Sequence, residues 1–500
     1  MSQELTRRAW LARSGALMLA PAALPLVSLP ARAADTSGYK ALVCVFLQGG
    51  NDAFNTLLAT DSASWQAYEA ARLSGSEPLA LAAPGTPAQA GAASLHARLG
   101  GVLPIEPLTP VAGRSLALHP SLGAVRELFQ ARRLALVGNV GALTAPLTKA
   151  QWTAGTGRWP AHLQSHNDQQ GFWQSLGDEG SGPGWGGRFV DTALSANGQP
   201  VFSSISVHGR AAWSTGRQAL PYQMAPTGPV AIGADNGRLL GSAAAQQALL
   251  AVALGGRGSH VLEADLATVT RRSLEAQRAL SAALPALGAG PWGTAGVTSP
   301  AADPLLRYTA PDNGAVLANP LAMELQGVAR VIASRTALGA ARQVFFVGLG
   351  GWDTHDGQPV RHARLLAQLG HALAYFDRTL QAMGVDGQVT TFTASDFGRS
   401  LASNGDGSDH GWGGHHFVMG GAVRGGELYG RLPVYARVDA QGRFDSPDLL
   451  QGGMMLPAVG VASYAATLGR WFGLSDTELL AALPVLSAWT APERQLGFMA

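Results

Sequence analysis

The chain has 500 residues, of which 47% are hydrophobic and 14% are charged, and it contains 64 glycines and one cysteine. This length allows several average domains or one large α/β domain with insertions, and the glycine content indicates many tight turns. The single cysteine, Cys44, excludes an intrachain disulfide. Its position inside the apolar run ALVCVFL at 41–47 predicts a small, buried side chain.

Residues 1–33 have the features of an export signal. Arg7 and Arg8 precede an uncharged, apolar run at 15–30, and an Ala-Arg-Ala sequence follows at 31–33. This order is typical of a cleaved secretory signal, and the paired arginines resemble a twin-arginine signal. The alternative is an N-terminal membrane anchor, but the run of 16 residues contains three prolines and is shorter than the ~20 residues that a spanning helix needs.

From this signal we expect recognition by the twin-arginine translocation machinery, a periplasmic or secreted location, and no stable membrane span after cleavage. Removal of residues 1–33 takes away four basic residues and one acidic residue, which changes the formal net charge from +2 to −1. A nearly neutral mature chain argues against nucleic acid as an electrostatic partner.

Three continuous apolar runs predict the strands of one buried sheet. They lie at 41–47, 344–347 and 389–393, and weaker strand patterns lie at 134–140 and 201–207. Continuous apolar runs are typical of strands that are covered on both faces, as in a parallel sheet under helices.

Helical patterns lie between these runs, at 121–131, 262–284 and 359–383. The last of them joins the second strong strand to the third, which is the spacing that a right-handed crossover requires. A stretch rich in Ala, Gly and Pro at 285–315 predicts a long loop or an insertion. We therefore expect residues 34–500 to form a single α/β domain, with a mainly parallel central sheet and helices on both faces.

An acidic residue follows each strong strand in a glycine-bearing turn. Asp52 ends QGGND, Asp353 and His355 lie in GLGGWDTHD, and Asp396 lies in ASDFGRS. Ligands of open parallel sheets bind beyond the carboxyl ends of the strands, so neighbouring strands would bring these acids together. Converging carboxylates repel one another unless a cation or shared protons neutralise them. Carboxylates with imidazoles suit a divalent Zn, Mn or Fe ion, whereas carboxylates alone suit Mg or Ca.

The segment DHGWGGHH at 409–416 supplies further imidazoles. His410, His415 and His416 follow the third strand closely enough to fold back over its end, and the intervening glycines allow sharp bends. A solvated or hydrogen-bonded loop is the alternative, and the side chains of the adjacent His415 and His416 are expected to diverge. The strand-end acids have an alternative too, because an aspartate after a strand commonly bonds its own backbone turn.

Three more polar residues are candidates for chemistry, each with a structural alternative. His166 in SHNDQQGFW is a candidate general acid or base, or a metal ligand, near a helix start. Ser121 in LALHPSL is a candidate nucleophile or phosphate binder, although a helix cap is the simpler role. Arg399 in SDFGRS suits a phosphate or sulfate oxyanion, or a salt bridge to a neighbouring carboxylate.

Six segments together resemble a known family, the DUF1501 family of exported proteins. They occur in the family's order from about residue 41 to 430: VFLQGGNDAFNT, LALHPSL, SHNDQQ, GGWDTHDG, FTASDFGRSLASNGDGSDHGWGGHH and GGAVRGG. The resemblance implies a fold similar to the alkaline phosphatase and sulfatase superfamily, an α/β sheet with metals at its strand ends. That superfamily hydrolyses phosphate and sulfate esters through a serine, threonine or modified cysteine nucleophile, whereas the DUF1501 family is named for having no settled function.

The resemblance carries over to particular residues. It implies that Asp52 is the acid after the first strand and that Asp353 and His355 are the pair of one metal site, at a shorter spacing than the superfamily's. Asp396 matches the acid of the superfamily's SDHG segment, but Phe397 replaces the histidine. This departure removes a usual second-site ligand and leaves either one metal or a site rebuilt from the His-rich segment.

No residue clearly matches the superfamily's nucleophile. Thr56 and Ser121 are candidates, and Cys44 lies in a strand without the sulfatase modification motif. The sequence thus predicts an exported metal-dependent hydrolase that acts on a small anionic phosphate or sulfate ester. The alternative is a non-catalytic exported binding or assembly protein that retains the fold and a structural metal.

Overall fold

The computed structural model describes residues 34–75, 77–177, 180, 182–230, 238–255 and 261–500. Residues 34–500 form one compact unit. The predicted signal at 1–33 lies outside the described residues. No helix in the described part of the chain is both long and apolar enough to cross a membrane.

The strands, in chain order, are β1 (Lys40–Leu47), β2 (Leu57–Ala59), β3 (Leu103–Ile105), β4 (Leu116–Leu118), β5 (Leu134–Gly141), β6 (Ser204–Ser206), β7 (Tyr222–Gln223), β8 (Arg307–Thr309), β9 (Val316–Ala318), β10 (Arg342–Leu349), β11 (Val389–Ser395), β12 (Arg399–Ser403), β13 (Ser408–His410), β14 (Gly414–Met419), β15 (Leu428–Gly430) and β16 (Val459–Gly460). Nine of them form the central sheet, in the order β15-β5-β14-β11-β1-β10-β6-β7, with β16 also paired to β5.

The central sheet is mainly parallel. Strand β14 is antiparallel to both of its neighbours, β11 and β5, and every other pairing that the structure describes in this sheet is parallel. The three strong apolar runs of the sequence became β1, β10 and β11, and they lie side by side with β1 in the middle. The predicted α/β class with a large, mostly parallel sheet is therefore confirmed.

The helices are α1 (Ser62–Arg72), α2 (Leu95–Leu99), α3 (Gly123–Gln130), α4 (Lys149–Ala154), α5 (His166–Ser175), α6 (Trp185–Asp191), α7 (Ala243–Leu254), α8 (Val261–Ala283), α9 (Pro320–Ala333), α10 (Gln358–Ala382), α11 (Val461–Phe472) and α12 (Asp476–Ala482). Helix α10 joins β10 to β11 as the crossover that the spacing predicts. The stretch 285–315 holds three short 3-10 turns and the first strand of the hairpin β8–β9.

Alternation along β1 divides the core into two layers, because successive strand side chains point to opposite faces. Val43 and Val45 belong to one apolar cluster, which includes Leu325 of α9 and Leu366 of α10. The other face of β1, including Cys44, packs in a second cluster that contains residues of α5, α6 and α11. Helices thus cover both faces of the sheet, and the carboxyl ends of its parallel strands are the part where a ligand can bind.

Candidate metal centre

Four side chains converge beyond the carboxyl ends of the adjacent strands β10, β1 and β11. The carboxylate of Asp353 is the common partner: its Oδ1 lies 3.2 Å from His355 Nε2 and 3.3 Å from His410 Nε2, and its Oδ2 lies 3.4 Å from His166 Nε2. The Nε2 atoms of His355 and His410 are 2.9 Å apart. These four residues are called the Asp353 cluster below.

Two imidazoles of the cluster, those of His166 and His410, have an oxygen acceptor hydrogen-bonded at Nδ1, and His355 Nδ1 lies within ion-pair distance of Asp409. The Nδ1–oxygen distances are 2.7 Å for His166 to Asp396, 2.6 Å for His410 to the Gln164 carbonyl, and 3.4 Å for His355 to Asp409. An acceptor at Nδ1 fixes the proton on that nitrogen and leaves a lone pair on Nε2. Histidines that bind metals in proteins are oriented by outer partners in this way.

The distances among His166, Asp353 and His410 fit a divalent cation, and His355 lies beside this group. Tetrahedral Zn²⁺ with bonds of 2.0–2.1 Å to nitrogen separates its ligand atoms by roughly 3.3 Å, close to the 2.9–3.4 Å of the cluster. The Nε2 lone pair of His410 and the Asp353 carboxylate face each other, so a cation or a proton must lie between them. One nitrogen or oxygen each from His166, Asp353 and His410 lies within 4.8 Å of the others. Mixed imidazole and carboxylate donors suit Zn, Mn or Fe.

Arg399 positions Asp353 from the buried side of the cluster. Its fully buried guanidinium donates to Asp353 Oδ1 at 2.7 Å and to the Gly49 carbonyl at 3.1 Å, and it also donates to the Ser408 carbonyl. Although burial raises the pKa of Asp353, the Arg399 guanidinium holds it below its usual value. Arg399 thus makes the salt bridge that was its alternative role, and its oxyanion role stays a prediction.

Asp396 does not face the centre of the cluster but bonds Nδ1 of His166, the nitrogen that points away from Asp353. Its fully buried carboxylate accepts through Oδ2 from His166 Nδ1, from Gln170 Nε2 at 2.9 Å and from the Gly49 amide at 3.1 Å. The hydrogen bond to Asp396 raises the pKa of His166. Phe397, in the place of the superfamily's histidine, stacks near His166 at a ring-centroid distance of 4.9 Å.

Gly49, in the QGG turn after β1, contacts both Asp396 and Arg399, the residues that bond His166 and Asp353 of the cluster. It adopts a φ of +118°, and a Cβ at this position would lie 2.3 Å from the Asp353 amide nitrogen. Only glycine combines this backbone conformation with so close an approach. Its amide bonds Asp396 while its carbonyl bonds Arg399, so one peptide segment orients His166 and Asp353 together.

Asp52, expected as a metal ligand, does not join the cluster. Both of its oxygens bond the guanidinium of Arg72, at 2.5 and 3.0 Å, and Oδ2 also accepts from Gln358. Its Oδ1 caps the turn at Phe54. Although burial raises the pKa of Asp52, the Arg72 guanidinium lowers it overall. A structural ion pair, together with the turn chemistry that was the alternative, replaces the ligand role.

His415 and His416, also expected as ligands, lie in strand β14 and are buried in the core. The Asn139 amide donates to His415 Nδ1 at 3.0 Å, and the His416 ring packs 4.7 Å from that of Trp173. Burial lowers the pKa of both histidines to about 3, which keeps both rings neutral. The structure corrects the ligand set here because the end of the His-rich segment is a sheet strand, and only His410 precedes it.

The two candidate hydroxyl nucleophiles lie elsewhere. Thr56 is fully buried and donates to the Asp52 carbonyl at 2.7 Å and to Asn51 Oδ1 at 3.1 Å. Ser121 sits in the turn before α3, where its amide donates to His119 Nδ1. Among the described residues, no hydrogen bond or ion pair joins Thr56 or Ser121 to the Asp353 cluster, so the structure does not bring these two candidates to the site.

Sequence reasoning missed Gln164 and Asp409 as partners of the cluster histidines. Gln164 has a φ of +75°, an uncommon conformation for a residue other than glycine, and this backbone turns its carbonyl to His410. Such strain is often found at functional sites. No side-chain pattern could reveal a contact made by a carbonyl, whereas Asp409 was visible directly before His410.

The Asp353 cluster opens to solvent on one side. His355 and His410 line a depression of about 780 Å³, together with Trp152, Gln164 and Asp409 among others. The side chains of Asp353 and His355 are 44% and 43% exposed. A metal bound there would be reached by a small molecule from the depression, which distinguishes this cluster from a fully enclosed structural site.

A family model described as "Protein of unknown function (DUF1501)" matches residues 39–483. The match covers most of the chain and spans every residue of the Asp353 cluster, and the chain belongs to this family. None of the curated proteins matches the chain.

Proposed function

We propose that this DUF1501 protein is an exported, metal-dependent hydrolase of phosphate or sulfate esters. One observation carries the proposal: three imidazoles, two of them hydrogen-bonded at Nδ1, direct their Nε2 atoms toward one carboxylate beside an open depression. The signal pattern at 1–33 supports export, and the resemblance of the motifs to the alkaline phosphatase and sulfatase superfamily supports the reaction class.

Charge also favours a cation at this site. Three carboxylates, those of Asp353, Asp396 and Asp409, lie in or directly behind the cluster, and Arg399 is the cation that bonds Asp353. An anionic ester would be repelled by this surplus of negative charge. When bound, a divalent cation reverses that repulsion, polarises the ester oxygen and activates water.

The chain's own residues then have separate tasks. Asp353 and the three histidines hold the cation, and Arg399 and Asp396 keep the ligands Asp353 and His166 in their orientations. Water is the nucleophile in this proposal, because neither candidate hydroxyl is in contact with the cluster. In this respect the chemistry differs from the covalent route of the superfamily that the motifs resemble.

The test uses the mature protein loaded separately with Zn²⁺, Mn²⁺ or Fe²⁺ and assayed on p-nitrophenyl phosphate, bis(p-nitrophenyl) phosphate and p-nitrophenyl sulfate. We expect release of p-nitrophenol from one of these esters with at least one metal, and its loss in Asp353→Ala. Asp356→Ala is the matched control, since Asp356 is an exposed neighbour paired with Arg361. Equal activity of Asp353→Ala and the wild type would contradict the proposal.

One observation favours the alternative of a non-catalytic exported protein with a structural metal. Three histidines and one aspartate are enough to fill a tetrahedral shell, and a closed shell is typical of structural zinc. Cobalt substitution with visible spectroscopy distinguishes the two functions. A five-coordinate spectrum that changes with added phosphate or sulfate favours the hydrolase, whereas a tetrahedral spectrum that ignores both anions favours the structural role.

Export has its own test. Arg7→Lys/Arg8→Lys in the full chain is expected to stop export through the twin-arginine route and to leave the precursor inside the cell. The measurement is fractionation followed by immunoblotting, with Arg13→Lys as the control. Processing of the double variant at the wild-type rate would contradict export by the twin-arginine route. It would have no bearing on the proposed metal site.

A further inference from the structure

The depression beside the Asp353 cluster continues into a second one. The first has a volume of about 780 Å³ and the second about 850 Å³. Trp152, Leu450 and Gln451 line both, so the two share one wall. A single drug-sized ligand occupies roughly 300–1,000 Å³. Together the depressions form an elongated groove, called the Trp152 groove below, that begins at the cluster and is too large for a small ester alone.

The groove carries little free positive charge. The described residues that line its first half include no Lys or Arg. In the second half, the Lys149 ammonium is held by the carbonyls of Phe444 and Ser446 at 2.6 and 2.7 Å, and Arg443 is paired with Asp439 at 3.0 Å. A densely charged anionic polymer needs unpaired cations along its backbone. Asp409, Asp439 and Asp445 also line the groove, so it disfavours a polyanion, and an uncharged chain avoids that repulsion.

The aromatic wall of the groove is rigid and flat. Trp152 is half-buried, and its ring packs 4.6 Å from that of Trp159 and 5.5 Å from that of Trp412. Trp412 is itself buried and anchored by a hydrogen bond from its indole to the Ala142 carbonyl. An indole supported from behind in this manner offers a fixed apolar face with a polar edge.

Three neutral polar side chains and one carboxylate line the groove beside this aromatic face. Gln164, Gln451, Ser403 and the carboxylate of Asp409 line the first half of the groove. Amides and carboxylates offer several donors and acceptors at fixed angles. An apolar platform ringed by such groups matches a sugar, whose ring presents C–H bonds on its faces and hydroxyl groups at its edges.

A polypeptide fits less well. Extended peptides gain affinity by pairing with a free strand edge, and the strand that borders the groove is β12. The carbonyls of Ser400 and Leu401 in β12 already accept from the buried Arg72, at 2.8 and 3.1 Å. Strand addition at this edge would have to displace a buried ion pair.

We propose that the Trp152 groove binds an extended, uncharged carbohydrate chain that carries the anionic ester group to the Asp353 cluster. This inference rests on the proposed function for the ester, but the binding of the sugar chain stands independently of any hydrolysis. Trp152 is the stacking platform, and Gln451, which both halves of the groove share, bonds the sugar hydroxyls along the way.

The test is affinity electrophoresis of the mature protein in native gels that contain hydroxyethylcellulose, glycogen, pullulan or galactomannan. We expect at least one of these neutral polymers to retard the wild type. Loss of the stacking face in Trp152→Ala is expected to weaken this retardation by about tenfold, and Trp152→Phe should retain most of it. Gln451 is exposed, so Gln451→Ala tests the same groove without a risk to folding. Trp65→Ala, at a half-buried tryptophan of α1 away from the groove, is the matched control.

Two further gels, one with dextran sulfate and one with gelatin, test the other classes of ligand. Stronger retardation in either of them than in the neutral polymers would contradict the proposal. Retardation by dextran sulfate alone would mean that charge, not sugar stacking, drives binding, and retardation by gelatin alone would assign the groove to a polypeptide. Absence of retardation in every neutral polymer would overturn the proposal as well. Asp353→Ala should bind the polymer as the wild type does, so failure of the hydrolase and failure of the carbohydrate groove give different results.

Discussion

Two groups of histidines and aspartates occupy neighbouring positions around the strand ends, and they have opposite characters. The Asp353 cluster is open to solvent, and the Nε2 atoms of its imidazoles lie around one carboxylate. Asp52 and His415 are fully enclosed, and they are committed to Arg72 and to the Asn139 amide. The same residue types thus build a candidate reaction centre in one place and a structural network in the other.

The difference lies in what surrounds each carboxylate. Asp52 has a full guanidinium of its own in Arg72, so no further cation is needed there. Asp353 shares Arg399 with two backbone carbonyls and also faces the Nε2 atoms of three imidazoles. A carboxylate that is already neutralised is a structural element, whereas one that faces unprotonated nitrogens is a candidate ligand.

The largest expected effect is on the enclosed group. Asp52→Ala leaves the Arg72 guanidinium buried without its partner, and breaking a buried pair in this way costs about 3–5 kcal/mol. Urea denaturation should show this loss, while the metal content of the folded variant stays at the wild-type level. The control is Asp356→Ala, whose exposed pair with Arg361 contributes less than about 1 kcal/mol. A free energy of unfolding equal to that of the wild type in Asp52→Ala would contradict the structural role assigned to the Asp52–Arg72 pair.

A smaller effect, on metal affinity, is expected at Asp396, which bonds the cluster histidine His166. Asp396→Asn weakens the acceptor at His166 Nδ1, and loss of such an outer partner reduces metal affinity by about 10–100-fold. Competition with a fluorescent chelator measures the affinity, and circular dichroism checks the fold. An unchanged metal affinity in a folded Asp396→Asn variant would mean that His166 is not a ligand.

The enclosed histidines should also make the stability of the protein depend on pH. His415 and His416 have pKa values of about 3 in the folded protein and about 6.5 when unfolded. The unfolded chain therefore takes up protons first, and the free energy of unfolding falls as the pH decreases below about 6.5. Each such histidine contributes about 1.4 kcal/mol per pH unit in this window.

Urea midpoints at pH 7, 6 and 5 measure this slope. His416→Gln is expected to reduce the slope by one proton, and His162→Gln, at an exposed histidine, is expected to leave it unchanged. A His416→Gln variant with the wild-type slope would mean that His416 is protonated in the folded protein, against its buried position.

The smallest effect is expected at Asp409. Its carboxylate is 67% exposed and lies 3.4 Å from His355 Nδ1, so Asp409→Asn should lower metal affinity by less than about tenfold. The chelator competition used for Asp396→Asn gives the ratio of the two effects. A larger loss at Asp409 than at Asp396 would reverse the order of importance of His355 and His166.

Much of the fold could be predicted because its strands are continuous apolar runs with a helix of crossover length between two of them. The sequence predicted that Asp52, Asp353 and Asp396, with His355, meet at one edge because they follow adjacent parallel strands, and it offered His410 only as one of three histidines that fold back over that edge. The partner of Asp52 could not be predicted in the same way. Arg72 lies on α1, 20 residues further along the chain, and nothing in its local sequence marks it as the neutralising cation.

The remaining errors have local causes. The glycines of DHGWGGHH indicated a loop, but its second half is the antiparallel strand β14, whose hydrogen bonds to β5 draw His415 and His416 into the sheet. The role of Gln164 depends on a backbone carbonyl and a positive φ, which single-sequence patterns do not encode. Arg399 was a candidate of the right kind, but its burial under Asp353 is a property of the tertiary structure.

Elemental analysis of the mature protein, purified without chelators or a histidine tag, tests the central claim most directly. We expect a stoichiometric transition metal in the wild type, lost in Asp353→Ala and His410→Ala and retained in His415→Ala. A folded wild type that takes up no metal even after reconstitution would contradict it, as would a metal that depends on His415 and not on His410.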